Sequence, residues 1–132
     1  MLKQEDWGRA LAAQREIYRR LVEVEDATGQ LMEAVDRRDQ VSVRLFLSMR
    51  QEQLDRARVQ RALLARQCAA LPAGDSRRLR QLLSGAAAES EAEAPLAAQV
   101  EKNRILLERI VRADRTLNRR LAGKRSFYGA GR

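Results

Sequence analysis

Histidine is absent from the 132-residue chain, and cysteine occurs once, as Cys68. Without histidine the chain alone cannot build a Ser–His or Cys–His nucleophilic pair, a histidine-bearing zinc site or the Glu-x-x-His metal sites of helical bundles. Cys68 lies in helical register with Leu64 and Leu71, which predicts a small core residue. A single cysteine is also typical of proteins from a reducing compartment. We therefore expect no enzymatic activity, no cofactor and no metal.

Proline and aromatic residues are also scarce, with only 2 prolines and 4% aromatics. By contrast, 45% of the residues are hydrophobic, much of this Ala and Leu, and 33% are charged. This composition is typical of long helices rather than of strands. No apolar run reaches the roughly 18 residues that a membrane span needs, and the first ten residues are unlike a signal peptide. The expectation is one all-α domain, cytoplasmic and without membrane insertion.

Apolar residues recur at helical spacing through residues 1–71, in two stripes of different phase. The first stripe comprises Ile17, Leu21, Val24, Thr28, Leu31 and Val35. The second comprises Val43, Leu47, Leu54, Ala57, Leu64, Cys68 and Leu71.

The change of phase, with Asp36 and Asp39 nearby, predicts a turn in which Asp39 caps a second helix. We expect residues 1–71 to form an antiparallel helical hairpin. The stems of Arg50 and Arg61 should lie along the second stripe with their charged heads in water. A single continuous helix is the alternative, since neither Gly nor Pro interrupts residues 30–71.

Residues 72–95 differ in character from the long helical segments. LPAGDSRRLRQLLSG predicts a turn and a short helix capped by Asp75 or Ser76 and ended by Gly85. The tract AAAESEAEAP that follows is acidic and has no large apolar side chain, so we expect a flexible link or a frayed helix start that buries nothing. Pro95 suits the first turn of the next helix.

The next helix, predicted over residues 96–122, has more apolar surface than one packing stripe can bury. The stripe expected to face the hairpin comprises Val100, Leu107, Ile110, Leu117 and Leu121. Ile105, Leu106 and Val111 lie off this stripe. They could bind an amphipathic helix of a partner, or they could simply pack on the first two helices.

Residues after Asp114 include no carboxylate and six basic side chains, which supply six of the eight net positive charges. Gly123 stands where a helix C-cap belongs, and Phe127 and Tyr128 lie between glycines. We expect residues 123–132 to form a flexible basic and aromatic tail. Such a pair of aromatics is an anchor for a partner's pocket, or else a disordered end without a role.

A sequence pI near 10.9 raises the alternative of a basic coiled coil that binds nucleic acid. Against it, 18 acidic residues are interspersed among 26 basic ones, and the basic tail has only two stacking groups. A structural oligomerisation protein is the other alternative, and the interrupted stripes argue against it. We expect a monomer or a weak homodimer that does not bind nucleic acid.

The chain combines two predicted long helices joined by a short acidic turn, a variable link, a helix that opens with Lys102-Asn103-Arg104, and a Tyr128-Gly129-x-Gly131 ending. In this layout the whole chain resembles the FlgN family of bacterial flagellar type III export chaperones. The family often shows Tyr-Gly-x-x-Gly at this last position. The resemblance implies a protein that holds the C-terminal helical segments of the hook-filament junction proteins FlgK and FlgL. It also implies delivery of this cargo to the cytoplasmic domain of the export gate, FlhA.

Two sets of contacts follow from this resemblance. The predicted cargo contacts, on the helix of residues 96–122, are Ile105, Leu106, Ile110, Val111, Leu117 and Leu121. The predicted export-gate contacts, which include the basic residues that would steer association, are Phe127, Tyr128, Arg119, Arg120, Lys124 and Arg125.

Overall fold

The computed structural model describes the backbone of residues 1–130 and the side chains of residues 1–123. These residues form four helices and no strand. The helices are α1 (Gln4–Arg37), α2 (Gln40–Ala70), α3 (Ala73–Leu83) and α4 (Ala94–Ala130). The all-α prediction is confirmed, with three long helices and one short helix. None of the helices, over the residues described, is both long enough and apolar enough to cross a membrane.

α1 and α2 are separate helices joined by Arg38 and Asp39. Arg38 adopts the left-handed conformation with φ 60°, and its N–H donates to the carbonyl oxygen of Val35 at 3.1 Å. The Asp39 carboxylate accepts hydrogen bonds from the hydroxyl of Ser42 at 2.7 Å and from its N–H at 3.1 Å. These two hydrogen bonds hold the pKa of Asp39 below its usual value, and the bond from the Ser42 hydroxyl contributes more than the bond from its N–H. The predicted turn and N-cap are confirmed, and a single continuous helix is excluded.

α2 runs antiparallel to α1, since its late residue Gln67 donates from Nε2 to the carbonyl oxygen of Asp6 at 2.8 Å. α4 runs in the same direction as α1 and antiparallel to α2. Asn103, early in α4, donates a hydrogen bond to Gln14, early in α1. Near their ends, Arg120 Nη1 donates to Asp36 Oδ2 at 3.1 Å. The three long helices thus alternate in direction along the chain, with α3 at the end where α2 finishes and α4 begins.

α1 is the central helix of the bundle. All six residues of its predicted stripe are buried, as the sequence indicates. α2 and α4 pack against different flanks of α1, and no Cα atom of α2 lies within 8 Å of a Cα atom of α4 among the described residues. The stripe of α2 is therefore only partly covered. Ala57, Leu64 and Cys68 are buried, while Leu47 is exposed.

The predicted packing stripe of α4 is confirmed at Val100, Ile110 and Leu117, which are buried, and is wrong at one position. Leu106, placed off the packing stripe, is only 1% exposed, whereas Leu107, placed on it, is 37% exposed. The cause is Asn103, a polar residue at a core position, whose Nδ2 donates to the carbonyl oxygen and to Oε1 of Gln14 at 2.9 and 2.6 Å. Because this buried amide is fully partnered, the bundle tolerates it. The buried face follows Asn103, Leu106, Ile110 and Leu117.

α3 closes one end of the bundle with two fully buried side chains, Leu79 and Leu82. α3 begins at Ala73 and its N-cap is Pro72. The prediction of Asp75 or Ser76 as the N-cap is therefore wrong. Both lie inside the first turn because the Pro72 carbonyl oxygen already accepts from the Ser76 N–H at 2.8 Å. Gly85, with φ 105°, follows the helix end as predicted, in a conformation that favours glycine.

The acidic link between α3 and α4 is attached to α3 through Glu93, which is 7% exposed. Its carboxylate accepts from Arg78 Nη2 at 2.6 Å and Nε at 3.0 Å, and from the Glu89 N–H at 2.9 Å. The expectation that this tract buries nothing is wrong, because an arginine of α3 supplies a partner for a buried carboxylate. The hydrogen bond from Arg78, more than that from Glu89, holds the pKa of Glu93 below its usual value.

This lowered pKa predicts an acid-sensitive attachment. A carboxyl whose pKa is lower in the folded state contributes stability that is present above its unfolded pKa, about 4.5 here, and is lost as the pH falls through the folded value. We expect the melting temperature of the wild type to fall more steeply below about pH 4.5 than that of Glu93→Gln. Thermal melts by circular dichroism at several pH values measure this. The matched control is the exposed Glu91→Gln, which should keep the wild-type slope; equal slopes for all three proteins would contradict the assignment.

α4 passes through Gly123 and continues to Ala130. The predicted C-cap at Gly123 is wrong, since a glycine inside a helix costs about 1 kcal/mol but does not by itself end it. The side chains of Lys124, Arg125, Phe127 and Tyr128 lie outside the described ones, as do residues 131–132 altogether.

Candidate functional site

An open groove lies between α2 and α4, with α1 as its floor. It exists because the two flanking helices do not pack against each other. The floor is formed by Ile17 and Leu21, and the cavity measures about 620 Å³. The apolar side chains of its walls are Leu64, Ala65 and Cys68 of α2 and Val100 and Leu107 of α4.

The groove is closed at one end by α3, whose Arg80 and Leu83 border it together with Gly85. Further along the bundle a side-chain bridge crosses from α2 to α4. Arg50 Nη2 donates to both carboxylate oxygens of Asp114, at 2.7 and 2.6 Å.

The same Arg50 also donates from Nε to the hydroxyl oxygen of Thr28 on α1, at 3.0 Å. We call Arg50, Thr28 and Asp114 the polar clasp, because together they join all three long helices. The predicted position of the Arg50 head in water is therefore wrong: its side chain is only 18% exposed. The head of Arg61 is exposed as predicted.

The polar clasp separates the two apolar clusters of the bundle. The larger cluster, on the α3 side, includes the groove floor and the buried residues of α3. The smaller one contains Leu31, Val35 and Leu117, with Leu121 packed against it. Along α4 the groove is lined from Val100 to Leu107, a rise of about 10 Å or two helical turns. A partner helix can thus lay about two of its turns against the groove.

The charges that border the groove have one sign. Arg61, Arg80 and Arg104 line it, and no carboxylate does so among its lining residues, all of which lie in the described part of the chain. Arg104 is neutralised by ion pairs with Glu101 and Glu108. The other two arginines have no carboxylate partner.

The predicted cargo contacts do not form one surface. Leu106, Ile110 and Leu117 are buried against α1, and Leu121 is half-buried beside them. A partner can reach Leu106, Ile110 and Leu117 only if α4 separates from α1.

The remaining two predicted cargo contacts are exposed but face different ways. Val111, 41% exposed, comes one turn after Leu107 on the side of α4 that borders the groove. Ile105, 45% exposed, is two residues from Leu107 and therefore lies on nearly the opposite side of the helix. Of the six predicted residues, Val111 alone is on the groove side and accessible. The cargo assignment stays a prediction.

Two of the predicted export-gate contacts have described side chains. Arg119 and Arg120 are exposed on α4, and Arg120 bonds Asp36 of α1. The other four, Lys124, Arg125, Phe127 and Tyr128, lie outside the described side chains.

Sequence reasoning missed the groove residues Ile17, Leu21 and Leu107 as a binding surface. A local signal existed for one wall, since Val100, Leu107 and Val111 are spaced by seven and four residues and form a stripe of their own. No local signal marks Ile17 and Leu21, which look like any core residues. Arg50 within an apolar stripe is the one hint of the polar clasp.

Cys68 lies in the groove wall as a buried thiol, and burial raises its pKa. This confirms the prediction of a small core residue. Among the residues described, no group of three or more His, Cys, Asp or Glu side chains is arranged to hold a metal ion.

Comparison of the chain with protein-family models, with curated proteins and with solved structures gives no match. The resemblance to the FlgN family therefore rests on the residues quoted above.

Proposed function

We propose that the protein is a cytoplasmic, non-catalytic chaperone of flagellar type III export that holds an amphipathic helix of its cargo in the groove between α2 and α4. The observation that carries this proposal is the apolar floor of Ile17 and Leu21, left open between two helices with no Cα atoms within 8 Å of each other among the described residues. An amphipathic helix would occupy the vacant fourth position of the bundle and bury its apolar stripe there, as in helix-in-groove recognition.

The resemblance to the FlgN family supplies the cargo, the C-terminal helical segments of FlgK and FlgL. Segments that stay unfolded until assembly expose apolar helix faces, which aggregate unless they are covered. Ordering such a segment on binding costs about 2–5 kcal/mol or more of the interaction energy, which keeps the affinity moderate. A carrier that must later release its cargo benefits from this moderate affinity.

Delivery to the export gate is assigned to the end of α4 and the residues after it. On this proposal Tyr128 and Phe127 insert into the FlhA cytoplasmic domain, while Arg119, Arg120, Lys124 and Arg125 steer the approach. In the folded chain Arg119 and Arg120 lie beyond the polar clasp, away from the open groove. Cargo and gate can therefore bind at the same time.

The test of cargo binding compares two neighbouring residues of α4. Leu107→Gln places an amide on the groove wall, and we expect it to weaken binding of FlgK and FlgL C-terminal segments by about tenfold or more, because buried apolar anchors dominate such interfaces. Ile105→Gln, of similar exposure but on the opposite side of the helix, should leave affinity within about twofold. Isothermal titration calorimetry with purified segments measures both. Because both side chains are partly exposed, neither substitution should unfold the protein.

Equal affinities for wild type and Leu107→Gln would contradict the groove as the cargo site. Failure of the wild type to bind either segment, together with binding of nucleic acid at physiological salt, would favour the basic coiled-coil alternative.

A second experiment separates cargo binding from delivery. Deleting residues 127–132 should leave cargo affinity unchanged, because the groove lies on the other side of the polar clasp, and should lower helical content only by the helical residues 127–130 that are removed. The same deletion should abolish binding to the FlhA cytoplasmic domain, and Tyr128→Ala should reproduce most of that loss. Unchanged gate binding by the truncated protein would remove the assigned role of this end.

A further inference from the structure

We propose that the groove selects an amphipathic helix with carboxylates beside its apolar stripe, and that Arg61 and Arg80 are the residues that bind these carboxylates. The inference rests on the proposed function and adds the chemistry of the occupant and its orientation.

The two arginines are positioned and available for this role. Arg61 of α2 and Arg80 of α3 both border the groove and both are exposed. In the described part of the chain, Arg61 has no hydrogen bond or ion pair. Arg80 donates only from Nε, to the hydroxyl oxygen of Ser76 at 3.2 Å, so its terminal amino groups have no partner there.

Other arginines around the groove are already neutralised. Arg50 binds Asp114, Arg78 binds Glu93, and Arg104 binds Glu101 and Glu108. The uncompensated positive charge is therefore confined to the α2 and α3 side of the groove. The α4 wall, where Arg104 is paired, presents none. A bound helix gains charge complementarity only if its carboxylates face α2 and α3, which fixes its rotation about its own axis.

An acidic amphipathic helix fits this surface better than a nucleic acid does. The floor and walls are aliphatic, and no aromatic side chain occurs among the groove's lining residues, all of them described. Single-stranded nucleic acids need stacking platforms along a continuous basic track, and two arginines on one side do not provide these. The lined stretch of α4, from Val100 to Leu107, is about 10 Å long and offers contact to about two turns of a bound helix.

The test uses two synthetic peptides of sixteen residues with the same leucine stripe at helical spacing. One carries three glutamates beside the stripe and the other carries three lysines at the same positions. Fluorescence anisotropy measures their affinities for the full-length protein at low and high salt. We expect the wild type to bind the glutamate peptide about fivefold more tightly at low salt, with the difference shrinking at high salt.

The decisive variant is Arg61→Glu with Arg80→Glu, which should reverse the preference. The matched control is Arg15→Glu with Arg66→Glu, which changes the net charge equally at two exposed arginines that do not line the groove. This control should keep the wild-type preference. Arg61→Gln with Arg80→Gln should abolish the preference without reversing it, and it replaces the reversal variant if that protein proves unstable.

An equal change of preference in the control would show that the overall net charge is responsible, and it would overturn the inference. If the double-glutamine protein kept the wild-type preference for the glutamate peptide, that result would also overturn the inference. The proposed function is judged separately, because Leu107→Gln should weaken both peptides equally whatever the arginines do. If a sixteen-nucleotide single-stranded DNA displaced the peptides from the wild type, the groove would be a nucleic-acid site and both proposals would fall.

Discussion

Leu106→Ala is expected to lower the free energy of unfolding by about 2–4 kcal/mol, because Leu106 is fully enclosed between α4 and α1 and its removal leaves a cavity. Urea denaturation followed by circular dichroism gives the value. Ile105→Ala is the matched control. It removes similar apolar volume from the adjacent, exposed position, and should change the free energy by less than about 0.5–1 kcal/mol, within the range for surface substitutions away from packing contacts.

This pair of substitutions also decides between two assignments of the last helix. The sequence pattern alone places Leu106 among the cargo contacts, in which case its truncation would weaken cargo binding in a protein of unchanged stability. Packing of Leu106 against α1 instead predicts lost stability. An unchanged unfolding midpoint for Leu106→Ala would show that α4 is rotated relative to the structure described here.

Asp114→Ala is expected to lower the free energy of unfolding by about 1–3 kcal/mol. The substitution leaves the guanidinium of Arg50, largely covered by the three helices, without the carboxylate that accepts from its Nη2. The comparison is Glu52→Ala, which breaks an exposed ion pair with Arg56 within α2 and should cost less than about 1 kcal/mol.

The double substitution Arg50→Met with Asp114→Leu tests the cause of this loss. Because it removes both charged groups together, no uncompensated charge remains, and much of the stability lost in Asp114→Ala should return. The four proteins of this cycle are the wild type, Arg50→Met, Asp114→Leu and the double variant. Urea denaturation of all four gives the coupling energy between the two side chains. A coupling near zero would mean that the polar clasp does not hold α2 and α4 together.

The parts of the fold that depend on neighbouring residues could be predicted from sequence. The stripe of α1 is continuous because α1 packs on two sides, and every member is buried. Asp39 caps α2 through a contact only three residues away. Both features are local, so propensity and spacing determine them.

The choice between Leu106 and Leu107 in the buried stripe of α4 could not be predicted, because it depends on a contact between residues far apart in the chain. Asn103 occupies a core position since Gln14, 89 residues earlier, satisfies its amide. A periodicity argument treats such a residue as surface and shifts the stripe by one position, from Leu106 to Leu107. The burial of Glu93 has no local signal in the sequence either, since its partner Arg78 lies on α3, 15 residues earlier.

The groove was beyond sequence reasoning for a different physical reason. It exists because the backbones of α2 and α4 stay apart on either side of α1, and no residue pattern within one helix predicts the spacing between two others. Its floor residues Ile17 and Leu21 satisfy the same helical spacing as the rest of the α1 stripe. Their role differs only because α3 is short and covers one end of the space between α2 and α4.

The most direct test of the central claim is where a bound FlgK C-terminal segment lies on the chaperone. A photo-cross-linking amino acid placed at position 107, on the groove wall, should give a covalent adduct with the segment upon irradiation. The same group at position 105, two residues away on the outer side of α4, should give little or none. Adducts of equal yield from both positions, or from position 105 alone, would contradict binding in the groove between α2 and α4.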